Sequence, residues 1–494
     1  MAEPLKVALL AMNAPGYQSL AIAYVRAFAE ADPRLKGRVG FQSLDLTATD
    51  DPWWVAYRII ELAPDVLGAS VLCWNARAVF DVCRIVREAL PDITIVLGGP
   101  EVGPIADDVL HEQSAVDAVV RGEGEAAFAD LLDLVRRGKP LIRADGVTAR
   151  GAGGEPCAAP DRPLIADLDS IPSPYLTGVL VPREDTAYIE GYRGCPHRCG
   201  YCFEGKGYGR IRSFSKERVE AEIAHLAGSC GVRSFSFIDP VFNLTTERLE
   251  WLTDVLAPYA ERGLVLHTVE VDIERIDEIA AAQLRSAGVV SVETGPQSIG
   301  EAALSACKRG FDRERFVAGV AALKSAGISV ECDLIAGLPG DTAADFFEAA
   351  LRSPGLLILE DATWMDDASA QMLARVMRDI AVRIYDLIQW GGIRYASRYV
   401  QRVRRVFLAD HERFGFEATR VAVHQIARLM LIKDEFYVAY LLTSYEKLRR
   451  DRQRAQHHGG QQNHESQGQK PFHVDLPEHH LEVGKHPLLR ESHR

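Results

Sequence analysis

Short apolar runs alternate with amphipathic stretches through the first part of the chain. Residues 7–10, 66–70, 93–97 and 118–120 are runs of the length and content of buried strands. Between them, residues 19–30, 53–62, 76–90 and 125–136 carry apolar positions at helical spacing. Strands that alternate with helices in this way predict a parallel, doubly wound, Rossmann-like α/β domain over residues 1–149. Ligands on such sheets bind at the carboxyl ends of the strands.

Gly151, Gly153, Gly154, Pro156, Pro160, Pro163, Pro172 and Pro174 interrupt the pattern, so residues 150–185 are expected to be a linker. The alternation then resumes. Residues 186–190, 234–237, 264–269, 289–293 and 330–335 have strand character, and 216–227 and 315–325 helical character. A repeated strand–helix unit over residues 186–350 predicts a partial (β/α) barrel with its chemistry at the strand C-termini. Residues 351–455 are almost wholly helical in pattern, an all-helical C-terminal region. Residues 456–494 hold eight of the fourteen histidines among Gln, Gly and charge, and are expected to be a disordered tail.

Composition narrows the class. The 494 residues are 47% hydrophobic and 25% charged, the balance of a globular protein. No run of 18 apolar residues and no signal-peptide pattern occurs, so no membrane span and a cytoplasmic location are expected. The net charge of −13 argues against a nucleic-acid partner.

Three of the nine cysteines fall within eight residues: Cys195-Pro-His-Arg-Cys199-Gly-Tyr-Cys202. Such clustering means metal or catalysis before it means disulfides. Structural zinc wants a closed set of four protein ligands, and His197 is poorly placed to be the fourth. A four-iron cluster held by three thiolates keeps one iron open for a small molecule. Both metals remain possible from the spacing, with the cluster favoured.

The Cys-x3-Cys-x2-Cys loop after a first barrel strand, with Tyr201 and Phe203 around the last cysteine, resembles the radical S-adenosylmethionine (SAM) superfamily. Asp239-Pro-Val-Phe-Asn243 resembles the family's segment after the second strand. Glu293-Thr-Gly-Pro-Gln297-Ser298 resembles that of the fourth, and Asp333-Leu-Ile-Ala-Gly-Leu338-Pro-Gly that of the fifth. The resemblance implies a four-iron four-sulfur cluster on Cys195, Cys199 and Cys202. It also implies reductive cleavage of SAM to a 5′-deoxyadenosyl radical, with Tyr201, Phe203, Asp239, Asn243, Glu293, Gln297, Ser298, Asp333 and Leu338 as cofactor-site residues.

An N-terminal doubly wound domain in this superfamily usually binds cobalamin. The candidates here are Asn13, Ser70, Cys73, Trp74, Asn75, Gly98, Gly99, Pro100, Glu101, Gly122 and Glu123, all placed at strand C-termini. No histidine precedes His111, so the Asp-x-His-x-x-Gly ligand motif is absent, and Trp74 and Asn75 are the candidates for the lower face of the corrin. No Gly-x-Gly-x-x-Gly follows the first strand, which disfavours a dinucleotide.

The resemblance implies methyl transfer to an unactivated carbon of a small-molecule or peptide substrate, with flavodoxin or ferredoxin as electron donor. Radical cyclisation, rearrangement or hydroxylation without methyl transfer is the alternative, and a non-catalytic cluster- or cobalamin-binding protein a further one. The match fades near residue 345. The Pro-Gly-Thr turn of a further barrel strand is missing, so the expectation is a barrel short by one unit or one in which Leu356–Leu359 substitutes for that strand.

Overall fold

The computed structural model describes residues 3–341, apart from 184, 205–209 and 336, together with Arg402 and Val403. The chain divides into two compact units, residues 1–378 and 379–494, and the fold below belongs to the first. The expected helical region, the tail and the missing barrel unit lie outside the described residues, save for Arg402 and Val403.

The first domain is built on β1 (Leu5–Asn13), β2 (Val39–Thr47), β3 (Val66–Ser70), β4 (Thr94–Gly98), β5 (Ala118–Val120), β6 (Val147–Arg150) and β7 (Pro156–Ala158). They form one sheet in the order β2-β1-β3-β4-β5-β6-β7. The first five strands are parallel, with Val7 opposite Val66 and Val66 opposite Thr94. Helices α1 (Leu20–Ala31), α2 (Pro52–Leu62), α3 (Ala76–Ala89), α4 (Ala106–Glu112) and α5 (Gly124–Arg136) make the crossovers. The apolar positions of β1 feed both faces: Ala8, Leu10 and Met12 pack with α2, α3 and α4, and Val7, Leu9 and Ala11 with α1 and α5. Side chains that alternate across a strand require this division. The strand order reverses between β1 and β3, a topological switch point where such sheets place ligands.

Three strands of this sheet differ from the sequence expectation. β2 is an edge strand of half-exposed residues, so it lacks a continuous apolar run. β6 and β7 form an antiparallel hairpin that extends the sheet into the expected linker. Gly151 and Gly154 supply its turn, where the Gly154 amide donates to the Gly151 carbonyl at 3.0 Å. Pro156 is tolerated because β7 is the edge. The Gly and Pro signals there mark a hairpin, not a break.

The second domain carries β8 (Thr186–Ile189), β9 (Tyr192–Arg193), β10 (Arg212–Ser213), α6 (Lys216–Ala224), β11 (Ser234–Phe237), α7 (Thr246–Ala260), β12 (Val265–Leu266) and β13 (Val269–Glu270). α8 (Glu278–Ser286), β14 (Ser291–Gln297), α9 (Glu301–Ala306), α10 (Arg313–Ser325) and β15 (Ser329–Leu334) follow. Two parallel three-stranded sheets, β12-β11-β8 and β13-β14-β15, are linked by a bridge between Leu266 and Val289 into a partial barrel. Ser215, Thr245, Asp277 and Asp312 cap α6, α7, α8 and α10, each accepting from an amide of the first turn. Phe235, Phe237 and Phe242 centre the barrel core, and Leu20 and Tyr24 of α1 are buried in the same cluster, fastening the two domains together. No helix among the described residues is long and apolar enough to cross a membrane.

Candidate active site

The three cysteines sit on the loop between β9 and β10, which pair as a short antiparallel ribbon with Arg193 opposite Arg212. The base of that loop is fixed from below. The carboxylate of Asp239, fully buried, accepts from the amides of Gly191 at 2.6 Å and Tyr192 at 3.2 Å, and is ion-paired to Arg248. A Cβ on Gly191 would stand 2.7 Å from Asp239 Oδ2, so only glycine lets the chain pass there. The Tyr192 hydroxyl donates to the Val241 carbonyl at 2.9 Å.

Within the loop, Cys199 is buried and Cys195 and Cys202 are half-buried. Burial pushes the Cys195 thiol up to about 11. The Gly200 amide donates to the Cys307 carbonyl at 2.6 Å, which ties the loop to the end of α9. Arg309 donates through Nη1 to Cys199 Sγ at 3.3 Å and through Nη2 to the Gly295 carbonyl. His197 turns toward Asp272, with 3.5 Å between Nε2 and Oδ2. No three His, Cys, Asp or Glu side chains among the described residues converge as a single metal ion would need. A cluster takes one thiolate per iron, and a loop presenting three cysteines beside a guanidinium donor suits it.

A cavity of about 1420 Å³ opens between the strand C-termini of the two domains. Ligand pockets of about 300–1,000 Å³ hold one drug-sized molecule, so this one has room for a large cofactor and a second ligand. Its first wall includes Asn13, Ser70, Cys73, Trp74, Gly98, Gly99, Pro100, Gly122 and Glu123, nine of the eleven residues expected from the sequence. Gly99 has φ +122°, and a Cβ there would collide with the Val71 carbonyl oxygen, so only glycine fits. A Cβ on Gly122 would meet nothing within 4 Å, so the wall is open there to the approach of a flat ring, which fits a corrin. Trp74, 59% exposed, stands in the opening.

Asn75 does not reach the cavity. It is fully buried, accepts from the Leu72 amide at 2.8 Å and donates to the Met12 carbonyl at 3.0 Å. It therefore braces the loops after β1 and β3 and offers nothing to the lower face of a corrin. Glu101 is exposed and outside the lining. Asn13 lines the cavity but donates to Asp45 at 2.7 Å. Glu123 lines it too, yet its carboxylate is taken up by Arg193 and Arg212.

The second wall carries Phe203 and Glu293 of the expected residues, and also Glu190, Thr268 and Glu270, which the sequence did not single out. Burial raises Glu190 to about 7. Glu270 rises to about 7, from burial first and then the charges of Asp333 and Glu204. Glu293 rises to about 8, from burial and a hydrogen bond shared with Asp333. Tyr201, Asp239, Asn243, Gln297, Ser298, Asp333 and Leu338 are not in the lining. Asn243 exchanges hydrogen bonds with the backbone of Asp272, Ser298 donates to Asp341 at 2.8 Å, and Leu338 packs on Cys307. Asp239 and Asn243 thus hold loops in place. Gln297 follows a β-bulge with φ +64°, an uncommon conformation for a side-chain-bearing residue. Glu270 had a signal in the sequence, a carboxylate one residue beyond a strand end. Arg193 and Arg309 had none short of the fold.

Comparison with known proteins agrees with this layout. The radical SAM superfamily model matches residues 189–352, and the B12 binding domain model residues 17–132. A family of unknown function matches residues 376–473. An uncharacterized methyltransferase of Pyrococcus horikoshii is 27% identical over 67% of this chain and 72% of its own length. The cobalamin-dependent radical SAM methyltransferase TokK of Streptomyces tokunonensis is 28% identical over 69% of this chain, and the match spans about half of that enzyme, 52%. The structure of the radical SAM methyltransferase TsrM from Kitasatospora setae, with cobalamin and a four-iron four-sulfur cluster bound, superposes with a TM-score of 0.57 at 17% identity. That match covers 71% of this chain and 70% of TsrM, a likeness of fold.

Proposed function

We propose, from the premise that this chain is a cobalamin-dependent radical SAM enzyme with a B12-binding domain followed by a radical SAM domain, that it transfers a methyl group to an unactivated carbon of a small molecule. The observation that carries this proposal is the shared cavity, into which the strand ends of both domains open. When bound, the cluster supplies the electron that cleaves SAM, and the corrin supplies the methyl group.

The residues of the chain supply the geometry. Cys195, Cys199 and Cys202 would hold the cluster, and Arg309 donates to the Cys199 sulfur. The Gly98–Gly99 and Gly122 edges and Trp74 would hold the corrin. Glu270 and Glu293 line the cavity on the SAM side and hold protons near neutral pH. A one-electron donor of the flavodoxin or ferredoxin type feeds the cluster.

Anaerobic reconstitution followed by mass spectrometry of the products tests this proposal. One 5′-deoxyadenosine and one S-adenosylhomocysteine are expected for each methylated product. Deoxyadenosine formed with no S-adenosylhomocysteine would overturn methyl transfer in favour of another radical outcome.

A further inference from the structure

The neck of the cysteine loop is gripped by the other domain. Arg193 and Arg212 lie side by side on β9 and β10, and the loop runs out and back between them. Both reach across to the segment Gly122-Glu123-Gly124-Glu125 that follows β5. Arg193 Nη1 donates to Glu123 Oε1 at 2.9 Å, and Nη2 to Glu125 Oε1 at 2.7 Å. Arg212 Nη1 donates to both oxygens of Glu123, at 2.9 and 3.0 Å. The Ile165 amide completes the shell on Glu123 Oε2 at 2.7 Å. Arg193 also pairs with Glu190 at 3.0 Å and lies over the Tyr24 ring of α1 at 5.6 Å.

This cluster is dry: the side chains of Arg193, Arg212, Glu123 and Glu125 are all 9% exposed or less. Buried pairs of this kind hold geometry strictly, because a displaced partner leaves a charge without solvent. The fork of Arg193 adds direction to the grip. Gly122 and Glu123 line the cavity on the cobalamin side, so a corrin resting on that edge bears on the segment that holds the cluster loop.

We infer that Glu123, Arg193 and Arg212 are positioning residues that couple the two cofactor sites, so that cobalamin binding and cluster assembly each strengthen the other. The inference rests on the proposed pair of cofactors. By linkage the effect on equilibrium affinity is reciprocal, and couplings of this type span about 5–150-fold.

The test is an anaerobic titration of hydroxocobalamin, followed by corrin absorbance. It is run on wild-type protein with the cluster assembled and on the same protein after the iron has been removed by a chelator. The cluster-loaded form is expected to bind at least about fivefold more tightly. In Glu123→Gln and Arg193→Lys the ratio is expected to fall close to one. A positioning role predicts loss of this ratio, whereas a merely structural role would weaken both forms alike. Equal, measurable affinities of the two wild-type forms would overturn the coupling and leave the proposed function standing. Binding in neither form would overturn both. The wild-type comparison needs no variant, so a variant that fails to fold cannot rescue or sink the inference. An undiminished ratio in both folded variants would assign the coupling to other residues and overturn the role given to these three.

Discussion

The two walls of the cavity are made in opposite ways. The cobalamin-side wall is set by strand ends of one parallel sheet that carry Gly98, Gly99 and Gly122, with Trp74 standing in the opening. The barrel-side wall carries carboxyls, with Glu190, Glu270 and Glu293 held in a site that resists their ionisation. A wall of glycine-bearing strand ends takes its shape from the sheet. A carboxylate wall depends on what each group is buried against, and so on the whole barrel. The first is shaped for a large flat ring, the second for a ligand that needs hydrogen bonds and a store of protons.

The largest effect that separates the walls comes from the loop at their junction. Replacing any one of Cys195, Cys199 or Cys202 by alanine is expected to abolish cluster absorbance and deoxyadenosine formation, with corrin absorbance retained on the first wall at saturating cobalamin, though at the weaker affinity of the cluster-free form. Loss of both cofactors with equal severity would show that the walls are not separable.

Next comes the support under the loop. Asp239→Ala removes a fully buried partner and leaves Arg248 without its carboxylate. Breaking a buried pair costs about 3–5 kcal/mol, so chemical denaturation should show a loss of that size. A loss below about 1 kcal/mol would place Asp239 with exposed pairs.

A smaller effect is expected on the cobalamin-side wall. Gly99→Ala puts a Cβ against Val71 in a conformation that side chains rarely adopt, at a cost of about 1–3 kcal/mol. Weaker cobalamin binding with cluster content unchanged would localise this edge to the first wall, and normal cobalamin binding would remove it from the site.

The smallest is a pH slope. The carboxyls of Glu190, Glu270 and Glu293 titrate higher in the folded chain than the ordinary 4.5. The folded state therefore holds protons that the unfolded state has released. Their contribution to stability is complete below about pH 4.5 and is lost as pH rises through about 7 to 8. The Tm of the cofactor-free chain should fall over that range, and Glu293→Gln should flatten the fall. An unchanged slope in that variant would remove Glu293 from the titrating set.

The same contrast explains what the sequence made legible. The apolar runs of β1, β3, β4 and β5 announced the parallel sheet, and with it the strand ends of the first wall. The cysteine spacing announced the loop. These are local features, readable wherever the chain carries them. β2 escaped because an edge strand has no apolar run, and β6–β7 because glycine and proline mark hairpins as well as linkers. Asp239 and Asn243 were visible as a motif, but complete burial gives them to the backbone of their neighbours, and only packing reveals that. Arg193 acquires meaning through Glu123, 70 positions away, and Arg309 through Cys199, 110 positions away. No window along the chain contains both members of such a pair.

The central claim is that the three-cysteine loop holds a cluster that cleaves SAM. Its most direct measurement is the yield of 5′-deoxyadenosine from reconstituted protein given SAM and a strong one-electron reductant without oxygen. The account predicts deoxyadenosine from the wild type and none from Cys199→Ala. A wild-type protein with a fully assembled, reducible cluster and no deoxyadenosine would contradict it.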